Sequence, residues 1–246
     1  MKLWLKEKNG EWKFYEKVVP SDLELRDIKI SDSATVGDGA AVGDGATVGN
    51  RAAVGNRATV GDRATVGDGA TVGNRAAVGN RATVGNRATV GDGATVGNRA
   101  KVGDGATVGN RAAVGNRATV GNRATVGNRA TVGDRAKVGD GAKVGDGAMV
   151  GDRAMVGDGA NVGKTIDCIV LGPIGSRESM LTGYFVRNEI FIGTGCFYGS
   201  IEKFRRAVKE KHGGKKFEQD YLAALVYIEA RLNIARADKL PAGSVK

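Results

Sequence analysis

The chain has 246 residues, 40 of them Gly and only 3 Pro, and a formal charge of +10. Glycine is far above the usual ~7 %, yet no Gly-X-Y triplet repeats, which excludes collagen, and no run of ~18 apolar residues exists to encode a transmembrane helix. Two cysteines, Cys168 and Cys196, cannot build a disulfide framework and fit a reducing cytoplasm, while a lone histidine, His212, excludes any site drawing two or three imidazoles from one chain.

In chain order, Met1-Lys2-Leu3-Trp4-Leu5-Lys6 lacks the apolar core and cleavage site of a secretory signal, so a cytoplasmic location is expected. The segments Leu3–Lys8 and Glu11–Glu16 flank Asn9-Gly10, a strong hairpin signal. Pairing across that turn sets Leu5 opposite Phe14 and Glu7 opposite Trp12. Leu3, Leu5, Trp12 and Phe14 are then expected to share one face as a lid over the segment that follows.

All aromatic residues lie outside 16–183, and between them runs a repeat with a period of six. A Val-Gly pair recurs without a break in phase from Val36 to Val162, in 22 units. Ile30 fills the same slot one unit earlier and Cys168 one unit later. Within Ala-Thr-Val, strand alternation sends Ala and Val to one face and Thr to the other. Gly and Asn/Asp follow, residues that tolerate positive φ and turn the chain. Each unit is therefore one short strand and one corner, and three such sides can point their valines at a common axis. Three units make one coil of roughly 18 residues, and the repeat makes about seven coils, a prism roughly 35 Å long at the ~4.8 Å strand spacing. The pattern [LIV]-G-x-x-[STAV]-x resembles the hexapeptide-repeat proteins, which implies a left-handed parallel β-helix over residues 30–168 and side-by-side packing into a homotrimer.

Beyond the repeat, Tyr184-Phe185-Val186 and Glu189-Ile190-Phe191-Ile192 read as strands joined around Arg187-Asn188. Ser200 offers an N-cap for a helix over Ile201–His212, stopped by Gly213-Gly214. A second helix over about 217–236 is expected to bury Tyr221, Leu225, Ile228 and Leu232. The divisions are then 1–29, an N-terminal hairpin cap; 30–168, a β-helix; 169–240, an α+β module; and 241–246, a tail. The module resembles one found at the ends of repeat proteins from phages and gut bacteria, through Gly175-Ser176-Arg177, Gly195-Cys196-Phe197-Tyr198-Gly199-Ser200-Ile201-Glu202 and Lys211-His212-Gly213.

Many hexapeptide-repeat proteins are acyltransferases that use a histidine on the coil as general base, and others are carbonic anhydrases with three histidines on zinc. Residues 30–168 contain no histidine and no long loop insertion. Cys168 reads as a small core residue and His212 as a helix-end residue that complements the dipole. The chain is accordingly expected not to be an enzyme and to hold no metal or cofactor.

Residues 18 apart stack, so Arg63, Arg81, Arg99, Arg117, Arg135 and Arg153 form one column of guanidinium groups. Such a column could take phosphates, or simply keep a corner solvated. At the junction of repeat and module, Ser176, Arg177, Thr182 and Tyr184 are a candidate site for a small anion; the competing reading is that they satisfy the backbone of the last coil. The function expected is a non-catalytic scaffold presenting a basic surface and its module to a macromolecular partner. Two alternatives stay open: a phage-type protein sequestering an anionic small molecule such as a signalling nucleotide, and non-specific nucleic-acid binding.

Overall fold

The computed structural model describes residues 2–7, 11–187, 189–195 and 197–237. Its centre is a three-sided parallel β-helix of about seven coils, whose sides are two- or three-residue strands running from Lys29–Ile30 to Asn161–Val162. Each side pairs in parallel with the side 18 residues on, as Thr71 with Thr89 and Val72 with Val90. Alternation across so short a strand is enough to sort the side chains. Ala70 and Val72 are fully buried while Thr71 faces out, and the same split recurs along the axis. The core is a dry column of Ala and Val. Each buried valine contributes about 1.5–3 kcal/mol, so the stack is stabilised by many small equal increments.

The corner chemistry differs from the sequence expectation in one respect. Neither the Gly after Val nor the Asn/Asp after it has positive φ; the next residue does, at φ 57° for Arg75 and 65° for Gly93. Every arginine of the repeat takes this left-handed conformation, interchangeably with glycine. The Val-linked glycine is required for space instead. A Cβ on Gly73 would lie 2.5 Å from Asp92 Oδ1 and 2.6 Å from the Asp92 nitrogen. That approach is what lets the Asn74 N–H donate to Asp92 Oδ1 at 2.7 Å. The Gly93 N–H donates to the Asn74 carbonyl at 2.9 Å, and the Gly73 N–H to the Val90 carbonyl at 2.7 Å. Side chains thus complete a hydrogen-bond ladder that a purely backbone corner would leave short of acceptors.

The front end is closed by a hairpin, Leu3–Lys6 with Trp12–Tyr15, that extends one side of the prism through Leu3 beside Ala40. Its register is one residue off the expected one. Leu3 pairs with Tyr15, Trp4 with Phe14, Leu5 with Lys13 and Lys6 with Trp12. Directly paired residues share a face, so Leu3 and Leu5 seal the first coil while Trp4, Trp12 and Phe14 lie on the outer face, each about 40 % exposed. The lid is therefore leucine, with Tyr15, Val18 and Leu23 packed beside it. A short helix α1, Pro20–Glu24, leads into the first coil. The turn at Asn9-Gly10 lies outside the described residues.

At the other end a four-stranded antiparallel sheet follows, in the order Cys168–Ile174, Ser179–Val186, Glu189–Thr194 and Phe197–Ser200. Its two middle strands are those read from sequence; the outer two are additions. The last coils lack a following coil to bond, and the turn Thr165–Asp167 together with this sheet supplies acceptors in its place. The Met149 N–H donates to Thr165 Oγ1 at 3.1 Å and the Met155 N–H to Thr182 Oγ1 at 3.0 Å. Tyr184 is buried against the end of the valine column. Helices α2, Ile201–His212, and α3, Lys216–Ala237, cover the far side of the sheet around a second core of Leu181, Ile192, Phe204, Leu225, Ile228 and Leu232.

Candidate functional site

A cavity of about 250 Å³ opens where α2, the turn Gly175–Arg177 and the ends of two sheet strands meet. Ser200 caps α2 by accepting the Lys203 N–H, and helical spacing then brings Phe204, Val208, Lys211 and His212 to one side of the helix. Phe197, Phe204, Val208 and Tyr221 form an apolar floor; Ser176, Arg177, Ser179, Thr194 and Lys211 form a polar and cationic rim. The rings lock one another, with Phe197 and Phe204 centroids 4.8 Å apart and Phe204 edge-on to Tyr221 at 5.6 Å. His212 stands 5.6 Å from the Tyr221 ring and 6.1 Å from Phe217.

The walls are tied down. The Gly175 N–H donates to the Asp220 carboxylate at 2.9 Å, anchoring the turn to α3. Gly175 has φ 70°, and a Cβ there would fall 2.1 Å from Tyr221, so the turn can sit on that ring only as glycine. An ion pair between Arg205 and Glu229 binds α2 to α3, and the Gly214 N–H donates to Glu218 Oε2 at 2.8 Å at the connecting turn.

The residues proposed from sequence separate into two groups. Ser176 and Arg177 line the cavity. Thr182 and Tyr184 are fully buried, one accepting the Met155 N–H and the other packed on the last coil, so neither reaches the cavity and both serve the solenoid end. Other cavity residues, among them Phe197, Phe204, Lys211, His212 and Tyr221, were not grouped as a site by sequence reasoning. The spacing of Phe204, Val208, Lys211 and His212 on a capped helix was the available signal.

The six arginines do form a column. Arg63, Arg81, Arg99 and Arg117 line one stretch of a corner groove beside Asp62, Asn80 and Asn98, and Arg117, Arg135 and Arg153 line the next, ending at Met180. A further depression, lined by Arg153, Met155, Ser179, Met180 and Gly195, shares Arg153 and Met180 with the groove and Ser179 and Gly195 with the cavity. Column and cavity are thus consecutive parts of one surface track.

Cys168 is partly buried against the valine core; desolvation, and then the Asp167 carboxylate, push its thiol up to about 12, which makes it unreactive at neutral pH. Cys196 lies outside the described residues. Among the described residues no group of His, Cys, Asp and Glu could hold a metal ion, and no helix is long and apolar enough to cross a membrane.

No protein-family model and no curated protein matches this chain. Solved structures do. A mutant of GDP-perosamine N-acetyltransferase from Caulobacter crescentus in complex with CoA and GDP-perosamine is 20 % identical, with 55 % of this chain and 49 % of that chain covered and a TM-score of 0.31. The UDP-N-acetylglucosamine acyltransferase of Francisella novicida is 14 % identical over 85 % of each chain, at a TM-score of 0.32. An acetyltransferase domain from Neisseria gonorrhoeae in complex with acetyl coenzyme A is 21 % identical over 52 % of this chain and 53 % of that one, at 0.21. The match spans about half the length of the perosamine N-acetyltransferases. At such identities the likeness is one of fold, a β-solenoid shared with hexapeptide-repeat acyltransferases.

Beside neighbours that are acyltransferases, the expectations of a non-catalytic scaffold, of its anion-sequestering and nucleic-acid-binding alternatives, and of a chain that is not an enzyme are not upheld; the likeness itself is one of fold. The coil holds no histidine, and His212 was expected only to complement the end of its helix. His212 reaches a cavity from outside the coil.

Proposed function

We propose that the C-terminal cavity is an acyl-transfer site for a phosphate-bearing thioester. The observation that carries this reading is that the chain's single imidazole stands on the wall of an apolar cavity entered from a line of arginines. Arg forks match phosphate oxygens, so Arg135 and Arg153 would hold the phosphate end of the carrier. Its flexible arm would follow the depression past Ser179 and Gly195. A cavity of about 250 Å³ suits a short acyl group on Phe197, Phe204 and Val208.

In the reaction, His212 takes a proton from an acceptor amine or hydroxyl as that group attacks the thioester carbonyl. The tetrahedral adduct collapses with cleavage of the C–S bond, and the thiolate leaves with the proton returned by His212. Arg177 and Lys211, both on the rim, would stabilise negative charge on the oxygen and leaving group.

The test is turnover of acetyl-CoA by the full chain with amine and hydroxyl sugar acceptors, the acetylated product being read by mass spectrometry. His212→Asn is expected to lower kcat about 10²–10⁴-fold. Arg153→Ala is expected to raise KM for the thioester with little change in kcat. Absence of both acetyl-CoA binding at low salt and acetylated product would remove the proposal.

A further inference from the structure

Helix α3 is apolar on two opposite sides. Tyr221, Leu225, Ile228 and Leu232 are buried against the sheet and α2. On the other side Ala223, Val226, Tyr227, Ala230 and Ile234 are exposed, Val226 at 62 % and Tyr227 and Ile234 at 50 %. Ala223, Tyr227, Ala230 and Ile234 follow the 4-3-4 spacing of a helix–helix seam about 16 Å long, alternating small and large. No exposed charged residue interrupts the seam between Ala223 and Ile234. A helix apolar on both sides is ordinarily covered on both.

We propose that the occupant of this outer face is α3 of a second copy of the chain, paired antiparallel. The pattern is self-complementary only in that direction. A twofold axis between Tyr227 and Ala230 lays Tyr227 over the partner's Ala230 and Ala223 over the partner's Ile234, each large side chain meeting a small one. A parallel pair would stack Tyr227 on Tyr227 and Ile234 on Ile234. A seam of this length buries less than the ~1,200 Å² of standard stable interfaces, so the pairing is reversible and concentration-dependent. The inference is independent of the acyl-transfer reading.

Full-length Ala223→Cys and Ile234→Cys chains are mixed, oxidised and analysed by peptide mass spectrometry, with the unmutated chain reporting any bond from Cys168 or Cys196. The expected product is a 223–234 bond between chains, at least tenfold in excess over 223–223. Sedimentation of the unmutated protein should show a dimer growing with concentration, and Ala230→Arg should weaken it at least tenfold with unchanged far-UV circular dichroism. A dominant 223–223 bond, a monomer at every concentration, or an oligomer (including a trimer) indifferent to Ala230→Arg would overturn the pairing.

Discussion

Two glycines in one corner do different work, and substitution separates them. A Cβ on Gly91 would lie 2.4 Å from Asn110 Oδ1 and 2.7 Å from its backbone nitrogen, so the coils would have to part. At Gly93, two residues on, φ is 65° and a Cβ meets only Arg111 Cγ at 3.6 Å. Gly91→Ala is expected to cost about 3 kcal/mol and Gly93→Ala about 1, read as shifts of the urea midpoint. The repeat made the importance of both positions legible but not the distinction between them. Gly43 and its equivalents never vary, whereas Gly93 and its equivalents alternate with Arg. That contrast separates a need for space from a need for a left-handed backbone, and it reads as such only once the coils are stacked.

Among the elements, the helices α2 and α3 and the middle strands of the C-terminal sheet were legible from capping and periodicity, whereas the hairpin register was not. Asn9-Gly10 fixes a turn only if the loop length is also known, and a one-residue slip exchanges every face. The cavity was illegible for a different reason: its walls come from the Gly175 turn, Phe197, α2 and Tyr221, segments that no local pattern joins. The sheet that closes the solenoid also gives the cap a pH dependence. Burial raises the Cys168 thiol from 9.0 to about 12, and burial also raises the Tyr184 and Tyr198 hydroxyls, with neighbouring charge adding to each. Below pH 9 folded and unfolded chains both keep the thiol proton, so the thiol adds no pH dependence to stability. Between pH 9 and about 12 only the unfolded chain releases it, and stability falls as pH rises. Near-UV circular dichroism during denaturation should show this decline, and Cys168→Ala should remove its lower part.

For the whole molecule, the stack of coils was readable from a period of six because each side is too short to fold except against its neighbours. The sequence carried no comparable signal for where the chemistry sits, since the arginine track acquires meaning only by ending at the His212 cavity. One further property follows from the ladder in which Asn74 reaches Asp92 and its equivalents repeat every 18 residues. Because successive coils are joined by the same set of bonds, tension applied to the two ends should meet the same resistance again and again. Single-molecule pulling is expected to give evenly spaced ruptures of similar height, each releasing about 60 Å of contour. A single collapse of the whole rod at one force would mean that its links fail together. In the stepwise case the protein behaves as a tether that lengthens in fixed increments, with its end module still folded while the rod peels.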